Sequence, residues 1–237
     1  MIFVRRKHSG AAAAILAAAI VISVTGVVAS ALGATPSAAA AVTPAASSTQ
    51  LDSYLQDMKT LRATFVQTLV DGHGREIDRS SGTLIVSRPG KFSWEIHPQA
   101  TDNSAGQLML ADGRNLWFLD RDLQQVTVKP VDAALSATPA MLLSGTVDIR
   151  TNFSISPAPK RDGLDWVLVE PRGSQADFRR ALLGFAGKEL KRMILDDKLG
   201  QTATINFDHI ERNGPVPSEE MSFTPPAGVD VIGTPAK

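Results

Sequence analysis

A mainly β protein, laid out as an antiparallel meander with few helices, is the fold class this sequence predicts. Three observations predict it. Short β-rich runs recur from residue 62 onward, separated by turn residues such as Asp71-Gly72-His73-Gly74, Asp112-Gly113 and Asp162-Gly163. Residues 91–96 alternate, with Phe92, Trp94 and Ile96 on one side and Lys91, Ser93 and Glu95 on the other, the pattern of a half-buried strand. The runs Leu116-Trp117-Phe118-Leu119 and Trp166-Val167-Leu168-Val169 are apolar on both faces, so both faces need cover there. A curved sheet around a helical plug meets that need, and so does a sandwich.

The elements follow in order. Arg5, Arg6 and Lys7 precede an uncharged Ala/Val/Ile run over 11–34, and Ala29-Ser30-Ala31 and Ala38–Ala41 offer small-residue cleavage sites. This is the layout of an export signal. The run is also long enough for an uncleaved membrane anchor, which is the competing reading. The chain therefore divides into a signal peptide over 1–41, cut within about 31–41, a flexible leader over 42–50 and one folded domain over 51–237. Leu51, Tyr54, Leu55, Met58 and Leu61 fall on one helical face, and Thr49 with Asp52 resembles a capping box. Strands are expected over 62–70, 81–87 and 91–96. The pair 108–111 and 115–119 flanks Asp112-Gly113, and a further strand is expected at 125–129. A short helix then interrupts the meander, with Thr138 as cap, Pro139 in its first turn and Gly145 at its end. Ala140, Met141, Leu142 and Leu143 leave that helix no polar face, so it must be covered on several sides. Strands resume at 153–156, 166–170, 176–185, 189–195 and 201–210, and the tail over 223–231 is extended.

Composition excludes several functions. Arg5, Arg6 and Lys7 are three of 24 cations matched by 24 anions, so the rest of the chain is slightly acidic and has no basic footprint for nucleic acid. Cysteine is absent, which excludes a disulfide, a thiol nucleophile, a thiolate metal site and a lipid anchored through cysteine. No nucleophile elbow, zinc-protease helix, phosphate loop or dinucleotide fingerprint is present. His73, His97 and His209 lack metal-site spacing, and Asp196-Asp197 reads as a solvated turn rather than a catalytic carboxylate pair. No catalytic residue, metal or cofactor is expected. Trp94 and Trp117 read equally as core residues or as a cavity lining. Arg88, set by Pro89-Gly90 at the rim of the aromatic face, reads either as a surface arginine or as a latch over an apolar hollow.

An ordered set of motifs resembles the LolA family, periplasmic carriers of outer-membrane lipoproteins. It comprises Phe65-x-Gln67, Asp71-Gly72, Gly82-x-Leu84, Arg88-Pro89-Gly90-Lys91-Phe92-x-Trp94, Asp112-Gly113-x-x-Leu116-Trp117 and Asp120-x-x-Leu123-x-Gln125-Val126. Thr138-Pro139-Ala140-x-Leu142-Leu143, Asp197-x-Leu199-Gly200-Gln201-Thr202 and Phe223-x-x-Pro226-x-Gly228-Val229-Asp230 complete it. The resemblance implies an unclosed, half-barrel antiparallel sheet of about 11 strands covered by a few helices that act as a lid. It implies that Arg88 hydrogen-bonds lid carbonyls in the closed form, and that Phe92 receives and passes on cargo. Trp94, Trp117, Met141, Leu142 and Leu143 are expected to line the same cargo site. It further implies a soluble periplasmic monomer, not an enzyme. That monomer takes lipoproteins from an inner-membrane ABC transporter, shields their acyl chains and hands them to an outer-membrane receptor. A lipid-sensing or lipid-binding module on the same fold is the alternative, and a hydrolase finds no supporting residues.

On export, the mature chain is expected in the soluble periplasmic fraction with a new N-terminus within about 31–41. Full-length chain retained in carbonate-washed inner membrane would establish the anchor instead.

Overall fold

Thr49 opens helix α1 (Gln50–Gln56) with a capping box. The Asp52 carboxylate accepts the Thr49 N–H at 2.6 Å, and the Thr49 hydroxyl accepts the Asp52 N–H at 3.4 Å. The computed structural model describes residues 49–99, 105–131, 139–145, 149–173, 176 and 178–236. The signal peptide, nearly all of the leader and the Thr138 cap lie outside the described residues.

The helix stops earlier than its apolar spacing predicts. Asp57 caps it, and Leu61 belongs to strand β1 (Thr60–Val70). The cause is remote in sequence. Asn213 accepts the Lys59 N–H at 2.7 Å and donates to the Asp57 carbonyl at 2.9 Å, which turns the chain out of the helix. Leu51, Tyr54, Leu55, Met58 and Leu61 are all buried nonetheless.

From β1 the chain winds through β2 (Glu76–Ser87), β3 (Lys91–Pro98), β4 (Gln107–Asp112), β5 (Asn115–Asp120) and β6 (Gln125–Pro130). Helices α2 (Pro139–Ser144) and α3 (Ile149–Asn152) follow, the second unforeseen in the sequence pattern. Then come β7 (Phe153–Arg161), β8 (Leu164–Pro171), β9 (Phe178–Ala186), β10 (Glu189–Asp197) and β11 (Thr202–Arg212). A 3-10 turn (Ser218–Met221) leads to β12 (Asp230–Ile232). All twelve strands form one sheet in the order β12-β6-β5-β4-β3-β2-β1-β11-β10-β9-β8-β7, with both ends open. This is the unclosed antiparallel sheet with few helices that the family resemblance implies, with twelve strands where about 11 are expected. The twelfth strand lies in the tail and is the one parallel partner among the described residues, running beside β6.

Two separate covers explain the strands that are apolar on both sides. Leu116 and Phe118 join the main core with α1 and α2, while Trp117 and Leu119 point away into a second cluster with Leu110, Val126 and Val128. The C-terminal tail roofs that second cluster through Phe223 and Val229, and the Phe223 and Trp117 rings lie 5.2 Å apart. In β8, Val167 and Val169 enter the main core. Trp166 lies on the opposite face, with the Arg161 guanidinium 4.7 Å from its ring.

Gly82 lets the inner face close up. Phe65, its register partner on β1, places a ring carbon 2.8 Å from where a Cβ at Gly82 would stand, and the Glu95 carbonyl oxygen is nearer still. The Phe65 ring thereby reaches Trp94 edge-on at 5.5 Å. Because backbone occupies the space, Gly82→Ala is expected to cost about 1–3 kcal/mol, read as a lower urea midpoint at unchanged slope. A wild-type midpoint would contradict the close approach of β3 to β2.

Candidate functional site

Period-two geometry decides which side chains meet beneath the lid. On β3, Phe92 and Trp94 face inward, opposite Val86 and Leu84 of β2 and Ala111 and Met109 of β4. Helix α2 lies against β2 and β3, and Ala140, Met141, Leu142, Leu143 and Ser144 are all buried. Phe92, Leu142 and Leu143 have no exposed surface, and Trp94 and Met141 are nearly as buried. These five expected site residues fall in one cluster. Trp117 does not. As an odd position between Leu116 and Phe118 it faces the other side, where its indole N–H donates to Asp112 at 2.7 Å. It belongs to the second cluster, with Leu110, Val126, Val128 and Phe223 of the tail, so the expectation that it lines the same cavity is corrected.

Arg88 joins the sheet to the lid. It lies in the β2–β3 turn, where Pro89 and Gly90 redirect the chain, and its Nη1 donates to the Leu55 carbonyl and, at 3.4 Å, to that of Met58. Its backbone N–H donates to the Lys59 carbonyl at 2.9 Å. Two residues on, the Gly90 N–H donates to the Ser144 carbonyl at 2.9 Å, at the end of α2. One turn therefore holds the C-terminal ends of both helices, where carbonyls lack partners within the helix. Burial lowers the Arg88 pKa from its ordinary value, yet a guanidinium remains charged at any working pH. No carboxylate forms an ion pair with it among the described residues.

Sequence reasoning missed further restraints on α1. Arg212 at the end of β11 donates to the Tyr54 carbonyl at 3.2 Å, with its guanidinium 4.4 Å from the Tyr54 ring. Arg150 of α3 pairs with Asp52 at 2.6 Å. Burial alone would raise the Asp52 pKa, but hydrogen bonds from Thr49 and Arg150 outweigh it and hold the carboxyl below its ordinary range. These partners lie about 100 residues or more from α1, so no local pattern signals them.

The remaining candidates have structural partners. Asp196 and Asp197 are buried, which corrects the expectation of a solvated turn. Asp196 binds Arg180 at 2.5 Å and the Thr202 hydroxyl at 2.8 Å. Asp197 accepts the Leu199 and Gln201 N–H groups at 2.8 and 2.7 Å and so shapes the β10–β11 turn. Among the described residues, no three His, Asp or Glu side chains gather to hold a metal.

An unclosed sheet, an apolar face covered by short helices and a cation on the carbonyls at the end of α1 define a class of protein: a half-barrel with a helical lid. The comparisons name the family. The family model described as "Outer membrane lipoprotein carrier protein LolA" matches residues 56–224. An outer-membrane lipoprotein carrier protein of Dechloromonas aromatica (strain RCB) is 41% identical over 189 residues, covering 80% of this chain and 88% of the relative. One of Nitrosospira multiformis is 38% identical over 191 residues, covering 80% and 90%. Among solved structures, a LolA superfamily protein of Nitrosomonas europaea aligns with a TM-score of 0.42 at 11% identity, covering 74% of this chain and 99% of that one. The chain belongs to the LolA family of outer-membrane lipoprotein carrier proteins.

Tyr54 reports on the burial of α1. It is the single tyrosine of the chain, so tyrosinate absorbance titrates it alone. Burial raises its pKa from the ordinary 10.0 to about 12. A folded pKa above the unfolded one contributes stability below pH 10 and loses it as the pH rises toward about 12. The native midpoint is expected near 12, and Tyr54→Phe should remove a fall in stability of about 2–3 kcal/mol across that window. A native midpoint near 10 would put the ring in water.

Proposed function

We propose that the protein is a periplasmic chaperone that takes lipoproteins released from the inner membrane and passes them to an outer-membrane receptor. Residues 1–41 direct export and are removed, 42–50 form a leader, and 51–237 form the monomeric carrier domain. The family and the names of its relatives support the carrier over a lipid-sensing module. The observation that carries the mechanism is the grip of Arg88 on main-chain carbonyls at the end of α1, over a core made of Phe92, Trp94, Met141, Leu142 and Leu143.

The task is physical. Each acyl methylene hidden from water contributes about 0.8 kcal/mol, so a lipoprotein does not cross an aqueous space unaided. A carrier must hide those chains and still give them up. In the closed form the α2 side chains occupy the inner face, so acyl chains enter by displacing them. Opening wide enough to admit acyl chains also frees the end of α1, which breaks the bonds from Arg88 to the Leu55 and Met58 carbonyls, each worth about 1.5–3 kcal/mol for a charged donor. Their re-formation on closing lowers the affinity for cargo and favours onward transfer. Lid side chains and acyl chains thus compete for one apolar surface, and Arg88 biases the competition toward the lid.

A two-stage assay tests this, scoring release of lipoprotein from inner-membrane vesicles and transfer to receptor-bearing outer membranes separately. Wild-type protein is expected to perform both stages, and Phe92→Glu to lose cargo handling because it buries a charge in the acyl site. Arg88→Leu is expected to accept cargo near the wild-type rate and to transfer it at least about tenfold more slowly, the size of one charged hydrogen bond. Equal loss at both stages by Arg88→Leu, or loss at neither, would remove the latch from the mechanism.

A further inference from the structure

We propose that Gly145 is a positioning residue for the latch: its absent side chain is the seat on which the Arg88 guanidinium rests. The inference rests on the reading of Arg88 as the latch and extends it to the end of α2.

Three observations carry it. A Cβ built on Gly145 would stand 2.6 Å from Cζ of Arg88, with Nε and Nη2 closer still, so guanidinium and side chain cannot share that space. Gly145 has φ +63, a left-handed backbone that ends α2 immediately after Ser144. Ser144 in turn accepts the Gly90 N–H, which fixes this end of α2 to the turn that carries Arg88. The Nε–Nη2 edge of the guanidinium therefore lies against the end of α2 while Nη1 reaches the end of α1. The arginine finds its carbonyls only when α2 has returned to the sheet. Gly145 thus couples the two helices, and closing one aligns the latch on the other.

The obstruction at Gly145 differs in kind from the one at Gly82. At Gly82 a side chain meets backbone, and the fold must shift. At Gly145 it meets the far end of a flexible arginine, which can swing aside. Gly145→Ala should therefore fold, close loosely and lose the latch. Backbone strain is the competing explanation, because alanine resists positive φ. Gly163 separates the two causes: its φ is +73 and nothing lies within 4 Å of its Cβ position, so Gly163→Ala carries the strain without unseating anything. Gly145→Asn makes the converse change, since asparagine tolerates the left-handed backbone yet fills the seat.

The two-stage assay is run on Gly145→Ala, Gly145→Asn, Gly163→Ala, Arg88→Leu and the Arg88→Leu/Gly145→Ala pair. The Arg88 Nε–H resonance, identified by its loss in Arg88→Leu, is followed alongside. Both Gly145 variants are expected to load normally, to transfer at least about tenfold more slowly and to shift the Arg88 resonance, while Gly163→Ala does none of these. Added to Arg88→Leu, Gly145→Ala is expected to change transfer by less than about twofold, because the group it would unseat is gone. An unshifted resonance in Gly145→Ala, or transfer that falls equally with and without Arg88, overturns the seat. A normal Arg88→Leu beside a shifted resonance in Gly145→Ala instead overturns the latch, and with it any transport role for the seat.

Discussion

The carbonyl oxygens at the C-terminal ends of α1 and α2 need donors from elsewhere, because a helix leaves its last carbonyls without partners. Arg88, Arg212, Asn213 and the Gly90 N–H supply them. The position of both helices over the sheet depends on this supply. Apolar contact holds the lid down strongly but says little about where, since a Leu or Met surface slides at little cost compared with a broken charged hydrogen bond. Directed bonds from these four residues at the helix ends convert a greasy cover into one with a defined position.

The two helices are held unequally. Helix α1 is tied at both ends: Asp52 to Arg150, Gln50 to the Gly187 carbonyl, Tyr54 to Arg212, and residues 57–60 to Asn213. Helix α2 holds the sheet through apolar packing, the Gly90–Ser144 bond and the contact of Gly145 with Arg88. Among the described residues, α2 has fewer polar ties to the rest of the fold than α1. The same asymmetry runs through the sheet. The outer face of β4 to β6 is roofed by the tail, and β12 adds a short parallel strand beyond β6. At the opposite edge, β7 carries Pro157 and Pro159, which lack N–H donors and so discourage pairing with another chain.

Side-chain alternation, turn chemistry and capping are short-range properties, and the sequence by itself determined whatever depends on them. Phe92 and Trp94 had to share a face, Thr49 and Asp52 had to cap a helix, and the turn at Asp112-Gly113 had to bring β4 back against β5. The helix over 139–144 had to be buried on all sides because it offers no polar face. Arg88 was legible as a candidate because Pro-Gly beside an aromatic strand marks a turn at the rim of a core. The ordered motifs then led to the family, whose name the comparisons bear out.

Tertiary structure decided what local periodicity leaves two-valued or depends on distant partners. Alternation separates Leu116 and Phe118 from Trp117 but does not say which set faces the lid; the register from β3 through β4 to β5 decides it. The end of α1 was set by Asn213, more than 150 residues away, and not by the spacing of Met58 and Leu61. Asp196 and Asp197 read as a solvated turn until Arg180, Thr202 and their own backbone enclosed them. Gly145 read as a helix stop, which it is. Its second role arises because Arg88, 57 residues earlier in the chain, comes to rest where its side chain would be. A missing atom leaves no trace in a sequence pattern until something fills the space.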